Sequence, residues 1–474
     1  MARPPLNIAF LWHMHQPVYT EPGSPMAVMP WTRLHATRDY ADMALLCEET
    51  GFPATFNLVP SLLDQIEGYA SGKLTDHHLE LSQKPPAELT AGERRYIIES
   101  FFAANPENAI SRYPRYLELY RRRESHGSAS LANSFDDADL LDLTVLFHLA
   151  WCGEYLLKEP DIAALVKKRE GYDQEDRRVL IDASREWIGG IISLYRGLAE
   201  KGSIELITSP YYHPILPLLC KTSAAVDADP DTPLPGKSMQ RPGDAAEQIR
   251  RGIARFRELF GFSPKGMWPS EGSVSSDILP LLSDTPIEWI ATDRRILEKS
   301  SVNTDAGHFD FYRVGEDGLK IVFRDTGLSD CIGFECARRS PEDAVRDFMG
   351  SLRDIRDNLP ADGRYFVPVI LDGENAWEYF PENGHEFLKR LYGELLESDF
   401  IQPTSVGDFL SGGEGTPLEE LAAGSWINGN LRTWIGDPDK NRAWEFLIDT
   451  AEAFEESAES VEDAARESAY ENLL

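Results

Sequence analysis

The strongest constraint on the fold is an alternation. Seven short apolar runs recur along the chain, each followed by a polar or Pro/Gly-containing loop: Ile8–Trp12, Thr55–Val59, Ile204–Thr208, Lys265–Trp268, Trp289–Thr292, Ile321–Arg324 and Tyr365–Leu371. Short apolar runs bounded by turn formers read as buried strands. Amphipathic helical patterns lie between most of them, such as Ala245–Phe260 ahead of Lys265 and Pro341–Asn358 ahead of Tyr365. Strand, helix, strand in repetition implies a parallel sheet, because parallel neighbours need a crossover connection. About seven such units predict an α/β fold, a barrel related to the eight-stranded (β/α) type but incomplete, in preference to an open sheet.

Two stretches interrupt the rhythm. From about 70 to 200 the patterns are helical, for example Asp136–Leu157 and Asp173–Leu198, which predicts a large helical insertion after the second strand. Val226–Pro242, rich in proline and aspartate, reads as a long loop near a strand end. Beyond Tyr379 the pattern is again helical, running into the acidic stretch Ala451–Glu471. The expected organisation is a catalytic barrel over 1–385, including the insertion, and a C-terminal helical region over 386–474.

Charge narrows the partners. Lys+Arg 47 against Asp+Glu 79 gives a net charge of −32. Such a surface repels nucleic acid and anionic lipid, while a neutral carbohydrate is indifferent to it. Solubility alone accounts for most of the acidity. The five cysteines are odd in number and form no CxxC pair, so they read as reduced thiols of a reducing compartment. The opening MARPPLNIAFLWHMHQP has no lysine-rich start, long apolar run or small-residue cleavage site, and no stretch is apolar enough to span a bilayer. A cytoplasmic location is expected, with no nucleic-acid or membrane partner.

Four constellations carry chemistry. His13 and His15, in Trp12-His13-Met14-His15-Gln16-Pro17, stand two apart at the end of the first run and share a face if that run is a strand. At a barrel rim such a pair can bind sugar hydroxyls or a metal ion; elsewhere it is a hydrogen-bonded core pair. Glu205 interrupts an apolar run, where an ionised carboxylate is costly unless partnered. It is either an inward-facing site residue or a solvent-facing residue near the strand start. Glu271, in Gly266-Met267-Trp268-Pro269-Ser270-Glu271-Gly272, lies one short loop beyond a strand, with Trp268 offering an indole face of the kind that stacks on a pyranose. Asp372 and Glu374, two apart, close a strongly apolar run, with Trp377 close by. Two carboxylates facing one cleft can divide the roles of nucleophile and general acid/base in glycoside hydrolysis. The residues alone do not say which is which.

Together these motifs resemble glycoside hydrolase family 57, the α-amylase, amylopullulanase and 4-α-glucanotransferase family. The similarity runs in order through HMHQP at 13–17, GSIELITSPYYHP at 202–214, GMWPSEGS at 266–273 and LDGENAWEYFPENGHEFL at 371–388. A fifth region, Ser425-Trp426-Ile427-Asn428-Gly429-Asn430 with Thr433-Trp434-Ile435-Gly436-Asp437 and then Asn441-Arg442-Ala443-Trp444, is closest to the amylopullulanase-like branch. The resemblance implies an incomplete (β/α)7 barrel followed by helices and a retaining mechanism on α-glucans. It places the nucleophile on Glu271 and the acid/base on Asp372. It implies sugar contacts from His13, His15, Glu205 and His213, with Trp268, Glu374 and Trp434 as further candidates. No metal or cofactor is expected. Similar proteins of this branch continue into an aromatic segment of the type EGSDWFWW, whereas this sequence stops at Leu474 in a helical stretch. Two rival readings exist: a glucan-binding protein without catalysis, and a metal-dependent deacetylase- or mannosidase-like barrel. The latter needs HxxxH or an Asp with two His, and HMHQP lacks that partner motif.

Overall fold

In the computed structural model, residues 3–125, 134–300, 306–315, 318–457 and 462–474 are described. All seven expected strands are present: β1 (Leu6–Met14), β2 (Ala54–Leu58), β3 (Ile204–Ile207), β4 (Gly266–Met267), β5 (Trp289–Asp293), β6 (Leu319–Arg324) and β7 (Phe366–Asp372). One arc runs β7–β1–β2–β3 and the other β4–β5–β6, with every one of these pairings parallel. A parallel bridge between Thr208 and Met267 joins β3 to β4. At the other seam the Asp325 amide donates to the Pro368 carbonyl at 2.8 Å, tying the end of β6 to β7. The result is a seven-stranded barrel.

Side-chain alternation sorts the strands into two cores. Ile8, Phe10, Trp12 and Met14 of β1, with Val367, Val369 and Leu371 of β7, pack outward on the surrounding helices. Ala9, Leu11, Ile207, Ala291, Val322, Phe366 and Ile370 fill the barrel itself. The inward register puts Leu11 beside Thr55 and Thr55 beside Glu205. Two residues further on, at the C-terminal rim, it puts His13 between Asn57 and Asp372.

The insertion is helical as expected, including Asp137–Ala150 and Gln174–Glu200, and it carries an apolar core of its own around Leu81, Phe101, Leu143, Phe147 and Leu180. One detail differs: Thr75–Asp76 forms a two-residue parallel pair with Met26–Ala27, held where Asp76 is ion-paired with Arg33 at 2.6 Å. Val226–Pro242 begins as the short helix Ala224–Ala228 and then runs without regular structure to Pro242, where a helix starts.

The boundary expected at 385 does not separate two packing units. Ile401–Pro403 pairs in parallel with Leu6–Ile8 of β1. The helix that follows, Val406–Ser411, contributes Val406, Phe409 and Leu410 to the interior cluster of the barrel. The barrel is therefore plugged by residues beyond 385, because strands this short leave its floor open to water unless another element fills it. Among the described residues, no helix is long and apolar enough to cross a membrane, and the five cysteines are all unpaired thiols.

Candidate active site

Glu271 owes its position to an unusual turn. After β4 the chain passes through Pro269 and Ser270, and Glu271 then adopts the left-handed conformation, φ 58° and ψ 27°. Gly272 follows at φ +58°, where a Cβ would lie 2.9 Å from the Trp268 ring. Two consecutive left-handed residues, the second obligatorily glycine, reverse the chain at once. His213, at φ 60°, is strained in the same way. Strain of this kind costs on the order of 1–3 kcal/mol per residue and persists where the surroundings over-determine the geometry. Here they do: Thr292 Oγ1 donates to the Gly272 carbonyl at 2.6 Å, and the Trp426 amide donates to the Glu271 carbonyl at 3.1 Å.

Trp426 also holds the carboxylate. Its indole Nε1 donates to Glu271 Oε2 at 2.9 Å. Asp372 ends β7, and its Oδ2 accepts from Asn375 Nδ2 at 2.9 Å. Both carboxylates line one cleft of about 1060 Å³, together with Arg324, Trp426, Phe334 and Tyr379. Beneath Glu271 sit three imidazoles. His13 and His213 lie 4.9 Å apart between ring centroids, His15 and His213 4.0 Å, and His213 Nδ1 is 3.9 Å from Glu271 Oε1.

Burial sets the electrostatics. It pushes Glu271 up to about 7; the Trp426 hydrogen bond opposes the rise and the charge of Asp372 adds to it. Burial likewise raises Asp372, opposed by the Asn375 hydrogen bond and the Arg324 guanidinium. His13 and His213 are held well below the usual histidine range, chiefly by burial, and His15 falls to about 4 for the same reason. The trio is therefore neutral at ordinary pH.

The structure thus gathers Glu271, Asp372, His13, His15 and His213, and puts four other expected contacts elsewhere. Glu205 points into the barrel, partly exposed and one inward layer below the rim. Its Oε2 accepts from Thr55 Oγ1 at 2.8 Å and from the Gly407 amide at 2.9 Å, so it is spent on the floor plug. Trp268 is completely buried and has no face to offer a sugar; its ring packs under His13 and Trp426. Glu374 is 1% exposed, and its Oε1 accepts from the His15 amide at 2.9 Å and from Gln16 Nε2 at 3.3 Å. Trp434 packs in a separate cluster around Leu218, Leu431 and Ile435, where its carbonyl accepts from Trp444. Trp426, part of the fifth motif but not among the expected contacts, and Arg324, in none of the motifs, also line the cleft. Arg324 ends an apolar strand just as Asp372 does, a signal that was available. It stands 5.4 Å from the Trp426 ring centroid and is tied back by Asp293 at 3.3 Å.

Among the described residues, His13, His213 and Glu271 bring potential metal-ligand atoms within 4.8 Å of one another. Two neutral imidazoles and a carboxylate are a chemically apt donor set for zinc.

Comparison with known proteins converges on one family. A family model described as glycosyl hydrolase family 57 matches residues 9–416. A putative alpha-amylase of Methanocaldococcus jannaschii is 22% identical over 294 residues, 59% of this chain and 55% of that protein, so the match spans only about half of that relative's length. Among solved structures, an alpha-amylase from Thermotoga maritima superposes with a TM-score of 0.58 at 14% identity, covering 96% of this chain and 81% of the other. A branching enzyme from Thermococcus kodakaraensis gives a TM-score of 0.59 at 15% identity over 94% and 78% of the two chains. These identities are too low to carry more than the fold, which is the incomplete (β/α)7 barrel. The match over 9–416 carries more: the chain belongs to glycosyl hydrolase family 57.

Proposed function

We propose that this chain cleaves and re-forms α-glucosidic bonds in starch-like glucans by double displacement, with Glu271 as nucleophile and Asp372 as general acid/base. The observation that carries this reading is the pair of burial-raised carboxylates facing one cleft, one of them held by an indole N–H. The relatives named above as an alpha-amylase and a branching enzyme support the α-glucan as substrate. Phe334 and Tyr379, 72% and 57% exposed at the cleft, supply aromatic faces for a pyranose where the fully buried Trp268 cannot.

In the first step a Glu271 carboxylate oxygen bonds to the anomeric carbon as the glycosidic C–O bond breaks, and Asp372 gives its proton to the departing oxygen. In the second, water or a sugar hydroxyl gives a proton to Asp372 and attacks the anomeric carbon, releasing Glu271. Each displacement inverts, so the product keeps the α configuration. The Trp426 N–H favours the ionised Glu271 that the first step needs. Arg324 beside Asp372 supplies positive charge to a cleft that would otherwise hold only acids.

Maltoheptaose with the purified protein tests the reading. Proton NMR in the first minutes should show new α-anomeric reducing ends or disproportionated maltooligosaccharides, in the presence of chelator as in its absence. A β-anomeric first product implies inversion. Activity lost to chelator and restored by zinc favours the deacetylase-like alternative that the His13, His213 and Glu271 cluster suggests.

The carboxylate pair also predicts a pH effect. An α-glucosyl fluoride needs no protonated leaving group, so Asp372→Asn should still be glycosylated by it. Removing the neighbouring negative charge lowers the Glu271 pKa from about 7. The rate should therefore hold to lower pH in the variant than in the wild type, because Glu271 stays ionised further into the acid range. An acid limb that stays put or moves upward would separate Glu271 electrostatically from Asp372.

A further inference from the structure

A chain of hydrogen bonds runs under the cleft and fixes a proton. Ser209 Oγ lies 2.7 Å from the Trp268 carbonyl oxygen. A carbonyl has no proton to give, so the single hydroxyl proton of Ser209 lies between them. The side-chain amide of Asn57 approaches Ser209 Oγ at 2.9 Å. With the serine proton already engaged, a donor must face it, and the amide puts Nδ2 at 2.9 Å with Oδ1 further off at 3.3 Å; the reverse orientation would press two proton-less oxygens together at the shorter distance. The same nitrogen lies 2.7 Å from His13 Nδ1 and must donate there with its second hydrogen. His13 Nδ1 is therefore an acceptor, and in a neutral ring the proton sits on Nε2. That atom is buried and has no hydrogen-bond partner among the described residues. The ring stands between His213 and Trp426, both of which reach the Glu271 carboxylate, at 3.9 and 2.9 Å.

We infer that Asn57 and Ser209 are positioning residues that hold His13 in its Nε2–H tautomer, so that it donates a hydrogen bond to a saccharide oxygen bound beside Glu271 and offers no lone pair there to a metal ion. The donation rests on the α-glucan reading; the tautomer does not. An unpartnered buried N–H is satisfied only by an incoming acceptor, and a sugar oxygen is one. The same proton disfavours a cation at the donor set of His13, His213 and Glu271. The Asn57 amide thus chooses between a sugar site and a zinc site built from nearly the same side chains.

Asn57→Asp is the discriminating variant, because a carboxylate can only accept. It would accept a hydrogen bond from His13 Nδ1–H, drawing the ring proton to Nδ1 and leaving a lone pair on Nε2. In protein labelled with ¹⁵N-histidine, long-range ¹H–¹⁵N correlation should show wild-type His13, identified by its loss in His13→Gln, protonated at Nε2. In Asn57→Asp it should be protonated at Nδ1. The kcat/KM on maltoheptaose should fall roughly tenfold to a hundredfold with the lost donor, and zinc chloride should inhibit the variant at concentrations at least about tenfold below those needed for the wild type. A wild-type spectrum with the proton on Nδ1 overturns the inference, and needs no variant to fold. So does an Asn57→Asp enzyme with wild-type kcat/KM and zinc response. A wild type protonated at Nε2 but inert on every α-glucan leaves the tautomer standing and sinks the saccharide reading instead.

Discussion

Glu271→Ala should abolish turnover of α-glucans, by roughly 10⁴-fold or more, while the protein stays folded. The size of the effect follows from covalent catalysis: without the carboxylate no glycosyl-enzyme forms, and a water in its place lacks a base. Folding should survive because the side chain has few structural duties. Its one hydrogen bond is from Trp426 Nε1, and alanine at φ 58° suffers much the same backbone strain as glutamate. The truncated side chain opens space next to the anomeric carbon that azide can enter. Azide would then attack an α-linked substrate from the face Glu271 had occupied, giving a β-glycosyl azide. With Asp372→Ala the outcome reverses. A substrate with a good leaving group still glycosylates Glu271, and azide intercepting that β-linked intermediate gives an α-glycosyl azide. The anomer recovered from each variant, read from its NMR coupling constant, therefore reports both roles at once. Near-normal activity in Glu271→Ala, or the two anomers exchanged between variants, would overturn the assignment.

What could be read from the sequence was whatever depends on local pattern. Apolar runs of four to seven residues found all seven strands, since a strand buried on both faces must be apolar throughout. The period of two also paired His13 with the rim, because it puts the same face of β1 inward at Ala9, Leu11 and His13. Depth along the barrel axis has no such signature. Glu205 and Asp372 both face inward from apolar strands, and only the register, Glu205 to Thr55 to Leu11 against Asp372 to His13, reveals that they lie in different layers. The tryptophans are hard to sort by sequence for a related reason. An indole near a catalytic carboxylate can stack on sugar or support the turn that carries the carboxylate, and the spacing is the same. Trp268 supports Gly272 from below, whereas Trp426, some 150 residues away in sequence, holds Glu271 from the cleft side through a hydrogen bond between residues 155 apart. The boundary at 385 failed because a barrel plug such as Val406–Ser411 reads in sequence as one more short amphipathic helix.

Glu205 offers the second large effect, on stability and not on catalysis. Burial pushes its carboxyl up to about 7, only partly opposed by the Gly407 amide and Thr55 hydroxyl, against a usual value of 4.5. A group whose pKa rises on folding binds more protons in the folded state. Its favourable contribution is complete below the unfolded pKa and is lost as pH rises through the folded one, here between about 4.5 and 7. At about 1.4 kcal/mol per unit, the folded protein should lose on the order of 2–3 kcal/mol across that window from this residue alone. Glu205→Gln imitates the protonated acid at every pH, and its amide oxygen can still accept from Thr55 and Gly407. The variant should match the wild type in urea unfolding near pH 4.5 and exceed it by roughly 2–3 kcal/mol at pH 8. Taking the difference between the two proteins removes the parallel slope from Glu271, which both share. Carboxylates held low by arginine, such as Glu247 at about 2 beside Arg250, titrate beneath the window. The same variant separates a floor residue from a sugar contact. One inward layer below the rim and bonded to Thr55 and Gly407, Glu205 is expected to stand clear of substrate, so kcat/KM on maltoheptaose should stay within about twofold of the wild type. A large loss of activity without the gain in stability at pH 8 would return Glu205 to the binding site and show that the plug of the barrel opens to glucan.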